Sequence, residues 1–269
     1  MTTLLDVTYY TDPLCSWSWA FEPVWLRLRY ELGNQVAWRY RMGGMIADWQ
    51  HYADPLNDVS AASHLGPQWL EVSRVSGMPI EPWVWHDDPP TSSYPACLAV
   101  KAAALQGAAA GERYLRRARE AVMLEGRNIA RRAVLIDLAR EIAAPGNETV
   151  RADAFDVAAF ERALAGDEAL DAFREDLRET RYRDIARFPT LIVRGLDGRG
   201  AVLVGYRPYD ALWETVSGIA GPDLVRARRR PATAEYTTYW NHLTARLTRR
   251  EIAEACDLEV AVASATDGS

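Results

Sequence analysis

The sequence predicts an α/β fold, on three observations. Leu4 to Tyr10 and Gln35 to Met42 read as strands on either side of an amphipathic helix. Pro189 to Val193 and Ala201 to Gly205 read as two more strands, followed by another helix. The long stretch between these ends, from Met45 to Arg187, carries helical signals and no strand signal. Periodicity alone therefore gives strand–helix–strand, a helical block, then strand–strand–helix.

The first strand is an apolar run. The helix after it spans Ser16 to Leu32, with Phe21, Val24, Trp25, Leu28 and Leu32 at helical spacing. Gly33-Asn34 ends that helix, because glycine accepts the left-handed turn that closes a helix. The second strand alternates, with Val36, Trp38, Tyr40 and Met42 on one side. Strand, helix, strand is a βαβ unit, so the two strands are expected to be parallel with a right-handed crossover.

Gly43-Gly44 opens the helical block. Met45 to Tyr52 and Gly66 to Ser76 read as short helices, and Gly77 to Tyr94, rich in proline, as a loop. Pro82-Trp83-Val84-Trp85-His86 within it is apolar but broken, and His86 reads as a surface histidine. Tyr94 to Gly107, Arg113 to Glu125, Arg131 to Ala143, Asp153 to Ala165 and Glu168 to Ile185 follow as helices. Cys97, among Ala96, Leu98, Val100 and Ala103, is expected to be buried. The doublets Arg116-Arg117 and Arg131-Arg132 have acidic neighbours and read as solvated surface.

Leu196-Asp197-Gly198-Arg199-Gly200 is a turn composition and predicts an antiparallel hairpin. Pro208 to Ile219 is then a helix with proline in its first turn. Arg226 to Pro231 is a basic linker and Thr233 to Leu247 a helix. Thr248-Arg249-Arg250-Glu251 has the form of a capping box, with Leu247 and Ile252 as its hydrophobic staple, starting a helix that ends near Leu258. Ala263 to Ser269 is expected to be disordered. Arg250 to Ala255 resembles half of a helix-turn-helix, but too little chain follows for a recognition helix.

Composition narrows the function. The net charge of −6 gives no reason to expect nucleic acid. No apolar stretch is long enough to span a membrane, and no basic-then-apolar leader is evident. Three cysteines, Cys15, Cys97 and Cys256, cannot all pair, so a reducing cytoplasm without structural disulfides is expected. No cysteine–histidine spacing suggests zinc. Ten tryptophans are expected to lie mostly in the core, with some lining a cleft.

The candidate site is Asp12-Pro13-Leu14-Cys15-Ser16-Trp17-Ser18-Trp19. Cys15 falls where a strand ends and a helix begins. Unpaired N–H groups and the helix dipole favour a thiolate there, and the thiolate is the reactive form. Buried cysteines are usually inert, and the turn after Pro13 is what argues for a reactive one with a pKa below about 7.5.

This segment, on to Phe21-Glu22-Pro23, resembles the active-site segment of DsbA-like thioredoxin-fold proteins, particularly the cytoplasmic FrnE-like branch, whose pattern is D-P-x-C-P-W-C-x-x-x-x-P. Phe188-Pro189-Thr190-Leu191-Ile192-Val193 resembles that family's cis-proline strand, and Gly205-Tyr206-Arg207-Pro208-Tyr209 its lead-in to the last core helix. The resemblance implies an α/β thioredoxin-like fold with a large all-helical insertion and a C-terminal helical extension. It divides the chain into 1–44 plus 186–222 as the thioredoxin-like domain, 45–185 as the insertion and 223–269 as the extension. Cys15 and Ser18 would be the catalytic pair, with Ser16, Trp17, Phe188 and Pro189 binding substrate.

One departure governs the chemistry: the family's second cysteine is Ser18 here. A hydroxyl cannot displace a thiolate, so it cannot resolve a mixed disulfide, although it can hydrogen-bond the Cys15 thiolate. Three readings stay open. The first is a single-thiol oxidoreductase or isomerase, with a protein or small-molecule disulfide as substrate and glutathione or another small thiol as co-substrate, no cofactor being bound. The second is a binding or adaptor protein that keeps the cleft. The third is an enzyme like the kappa-class glutathione transferases or chromene-carboxylate isomerases, whose activating serine stands where this chain has Cys15.

Overall fold

The computed structural model describes residues 3–52, 54, 59–144, 155–256 and 258. Strand β1 (Leu5–Thr11) lies inside a four-stranded sheet of order β2-β1-β3-β4, with β2 at Val36–Met42, β3 at Thr190–Gly195 and β4 at Gly200–Val204. β1 and β2 are parallel, with Leu5 opposite Val36 and Thr11 opposite Met42. β3 runs antiparallel to both β1 and β4, and the turn between β3 and β4 is the expected hairpin. Leu5, Val7 and Tyr9 point into one core with Leu191 and Val193, which is the period-two alternation made physical.

The crossover from β1 to β2 is broken in two: α1 (Ser16–Ala20) and α2 (Glu22–Leu32) meet at Phe21. Periodicity alone predicts one continuous helix, Ser16 to Leu32. Pro23 explains the break, because it has no N–H to continue the backbone ladder and is tolerated only in a first turn. Gly33 ends α2 at φ 55°, with its N–H on the Arg29 carbonyl.

Between β2 and β3 come α3 (Leu65–Ser76), α4 (Val84–Asp87), α5 (Tyr94–Ala104), α6 (Ala108–Leu124), α7 (Arg132–Ala143), α8 (Val157–Ala165) and α9 (Asp167–Tyr182). Their apolar faces form a second core around Trp69, Trp85, Cys97, Tyr114 and Phe160. After the sheet, α10 (Tyr209–Ala220) packs on β3, and α11 (Thr233–Trp240) and α12 (Arg249–Cys256) complete the first core, α11 through Tyr236 and Trp240 and α12 through Ala255. This is a thioredoxin-like α/β fold with helices inserted between β2 and β3 and a helical extension after α10.

Four local expectations need correction. Met45 to Tyr52 is not helical: the Met45 N–H is taken by the Asp12 carboxylate at 2.7 Å, and Trp49 is tied to the Pro90 carbonyl at 2.9 Å. The loop from Gly77 to Tyr94 contains the short α4. α11 stops at Trp240 rather than Leu247, and the chain then unwinds, so that Thr244 donates to Glu120 at 2.6 Å. Arg116 is not on a solvated face but 2 % exposed, paired with Glu22, Glu120 and Glu251. The first residues of the expected Asp153 to Ala165 helix, and the tail from Ala263, lie outside the described residues.

The capping box is present: the Thr248 N–H donates to Glu251 at 2.6 Å and the Glu251 N–H to the Thr248 hydroxyl at 3.2 Å. Leu247 and Ile252 belong to the same core, as a staple requires.

Candidate functional site

Cys15 caps α1. Its backbone is extended, and its sulfur accepts the Ser18 N–H at 3.4 Å, which satisfies one of the donors a helix start leaves unpaired. On its other side the thiol donates to the Phe188 carbonyl at 3.5 Å. The Phe188–Pro189 peptide bond is cis, and Thr190 opens β3 immediately after it, so the last turn before β3 faces the first turn after β1. Ser18 is fully buried, and its hydroxyl finds no hydrogen-bond partner among the described residues. The thiol's proton already goes to Phe188. A thiolate would offer that orphaned hydroxyl an acceptor.

Asp12 organises the turn, a role that residue type and spacing do not announce. Its buried carboxylate accepts from the Leu14 N–H (2.9 Å), the Met45 N–H (2.7 Å), the Ser93 hydroxyl (2.7 Å) and the Cys97 thiol (3.3 Å). The Cys15 N–H donates to the Asp12 carbonyl at 3.1 Å. One side chain thus joins the strand end, the chain after β2 and the start of α5. Its only sequence signal was its place at the head of the cysteine motif.

The expected low thiol pKa is not what this environment produces. Burial pushes the Cys15 thiol up; the Ser18 hydroxyl, which gains an acceptor once the sulfur is a thiolate, and the Ser18 N–H hold it down, the Asp12 charge raises it, and the Arg119 guanidinium opposes Asp12. Cys15 is only 4 % exposed, so desolvation of the thiolate outweighs the helix terminus. Native Cys15 should therefore be alkylated slowly at neutral pH, with the rate climbing only above the ordinary cysteine range. A fast plateau reached below neutral pH would contradict this.

The same burial raises Cys97, Tyr9, Tyr40 and Tyr114. These groups stay protonated in the folded chain at pH values where the unfolded chain ionises, so their contribution is intact below about pH 8.5 and lost as pH rises above it. The urea midpoint is expected to fall between neutral and strongly alkaline pH; a flat or rising midpoint would refute the linkage.

A cleft of about 960 Å³ opens beside Cys15. Leu14, Cys15, Ser16 and Trp17 form one wall, Phe188 and Tyr206 another, and Leu65, Gln68, Trp69 and Val75 of α3 a third. Trp17 and Tyr206 pack with ring centres 6.0 Å apart. Four of the residues expected at a site, Cys15, Ser16, Trp17 and Phe188, therefore line one cleft. Ser18 and Pro189 lie beneath it, buried. Local sequence does not mark Trp69, Tyr206 or the Gly43-Gly44 pair as site residues, because their approach to Cys15 depends on how the helical block folds back.

Gly43 has a specific reason to be glycine: a Cβ there would collide with the Phe188 ring. Gly43→Ala should leave the fold intact but push the ring aside, changing the Cys15 alkylation rate. An unchanged rate would mean the ring does not govern access.

Among the described residues no cluster of His, Cys, Asp and Glu could hold a metal, and no helix is long and apolar enough to cross a membrane.

A sheet of this order, whose first strand launches a helix through a cysteine beside a cis proline, defines a thioredoxin-like fold. The chain belongs to the thioredoxin family, whose model matches residues 9–214. It is similar to the ClpXP adapter protein SpxH of Halalkalibacterium halodurans, 30% identical over 258 residues that span 95% of this chain and 79% of that protein. Among solved structures it resembles the cytosolic disulfide reductase DsbM from Pseudomonas aeruginosa, with a TM-score of 0.56, 24% identity and coverage of 78% of this chain and 92% of that one. A second structure of DsbM, with GSH, gives a TM-score of 0.54, the same identity and the same coverage.

Proposed function

We propose that this protein is an adapter-type member of the thioredoxin family. It holds an extended segment of a partner protein in the cleft, and Cys15 meets that segment, or a small thiol such as glutathione, with a single sulfur. The carrying observation is the state of that sulfur: a buried thiol tied to Phe188 and Ser18 at the wall of an open cleft. A thiol secured this way, with Ser18 in the resolving position, suits recognition better than turnover. The similarity over 95% of the chain to a protein named as a ClpXP adapter supports the same reading.

A single-thiol DsbA-like oxidoreductase or isomerase is the second reading, and the orphaned Ser18 hydroxyl favours it. In that chemistry the Cys15 thiolate attacks one sulfur of a disulfide, and the other sulfur leaves as a thiolate. A second thiol, glutathione or one on the substrate, then attacks the mixed disulfide and returns the Cys15 thiolate. The transferase or isomerase reading rests on likeness in fold alone. Membership of the FrnE-like branch, a cytoplasmic location and the division at 44, 185 and 222 are part of the same proposal.

The test compares wild type with Cys15→Ser. Both are given a glutathione mixed disulfide of a model peptide, and both are panned against a library of displayed extended peptides. Cleft binding is expected to survive in Cys15→Ser, and turnover by wild type to stay within roughly tenfold of the variant, about 1.4 kcal/mol of barrier. Rapid turnover that the variant loses, with no peptide selected, would move the assignment to the oxidoreductase.

A further inference from the structure

We propose that the cleft selects partner segments that are acidic as well as apolar, through Arg181 and Arg187 at its lip. The proposal rests on the adapter reading and names the chemistry of the partner.

The sign of the cleft opposes that of the chain. The whole protein carries a net charge of −6, yet the lining residues include two exposed arginines, Arg181 in the last turn of α9 and Arg187 just before Phe188. Neither has an ion-pair partner among the described residues, although neighbouring arginines do: Arg183 pairs with Glu179, and Arg178 with Glu175. The carboxylate among the described lining residues, Asp54, is itself engaged. His51, also on the lining, is held by Asp48 at 2.7 Å. Two guanidiniums are thus left to meet an incoming anion, and the floor between them and α3 is apolar and aromatic.

The dimensions suit a chain. Leu65 and Val75 of α3 both line the cleft, which therefore runs along roughly 15 Å of helix at ~1.5 Å per residue. An extended peptide covers that length with about four to five residues at ~3.3 Å each. Apolar side chains would meet Trp17, Trp69 and Leu177, and a flanking Asp or Glu would reach the arginines, where a planar guanidinium can take a carboxylate through two hydrogen bonds.

The experiment uses the full chain as Cys15→Ser, which removes covalent capture. Two synthetic peptides share one cysteine-free apolar centre; one carries Glu and the other Lys on its flanks. Binding is followed by tryptophan fluorescence. The acidic peptide is expected to bind about tenfold more tightly at low salt, with the difference largely screened near 1 M salt. Arg181→Gln with Arg187→Gln should erase the preference, and Arg181→Glu with Arg187→Glu should invert it; both pairs lie on exposed positions, and circular dichroism checks the fold. Equal binding of the two peptides, or a preference that survives charge reversal, overturns the acidic selection and leaves the adapter reading standing. If neither peptide binds to any variant, nor any member of the displayed library, the adapter reading itself fails and the selection with it.

Discussion

Glu22→Ala is expected to lower stability by about 3–5 kcal/mol, the usual cost of removing one partner from a buried ion pair. Glu22, in the first turn of α2, is 4 % exposed and accepts from both Arg119 and Arg116. Arg116 keeps Glu120 and Glu251 when Glu22 is lost. Arg119, 1 % exposed, meets no other carboxylate among the described residues and keeps the Thr11 hydroxyl and the face of Tyr9. The loss thus strands a buried cation close enough to Cys15 to favour its thiolate. Urea unfolding should show the destabilisation, and Cys15 should alkylate faster at a given pH. Glu22→Ala with Arg119→Met should recover part of the loss, because an apolar chain replaces the stranded charge. A double variant no more stable than the single one would show that the charge was not the cause.

Ser18→Cys is expected to form an internal disulfide with Cys15 under mild oxidation. The Ser18 N–H already lies 3.4 Å from the Cys15 sulfur, and residues three apart on a helix share a face. The new thiol would replace a hydroxyl that has no hydrogen-bond partner among the described residues, so no hydrogen bond is lost. Cys97 cannot serve in its place, since its thiol is fully buried and committed to Asp12. The oxidised variant should lose the titratable Cys15 thiol that wild type retains, and it should gain exchange with model disulfides if the cleft admits them. A disulfide that forms but exchanges no better than Cys15→Ala would strengthen the adapter reading. A variant that stays reduced would mean that the first turn of α1 cannot bring the two sulfurs together.

The extension bears on both results. Glu251 caps α12 and pairs with the buried Arg116, which also meets Glu22 below the cysteine helix. The last described helix is therefore joined electrostatically to the segment that follows Cys15, and trimming it would disturb the same buried charges.

Much of this could be read locally. An apolar run, a helical spacing, a glycine stop, a turn composition and a capping box each involve neighbours in sequence, and β1, α2, β2, the β3–β4 hairpin and the start of α12 followed from them. The motifs that carry Cys15, Ser18 and Pro189 are also local. Arg116 and Arg117 show where this ends. Consecutive residues on a helix point in different directions, so one of an apparently solvated pair turned inward, to carboxylates 94 and 135 residues away in sequence.

The class of fold, the place of the cysteine at a strand-to-helix turn and a serine rather than a second cysteine at position 18 are legible in the chain's own residues. Those properties are set by residue type and spacing. How acidic that cysteine is and what lies in front of it follow from packing across the chain. Both depend on elements distant in the chain: Phe188 and Asp12 against the thiol, α3 and the end of α9 around the cleft. Burial by those elements outweighs the favourable helix terminus, because removing water from a thiolate costs more than a single helix end returns.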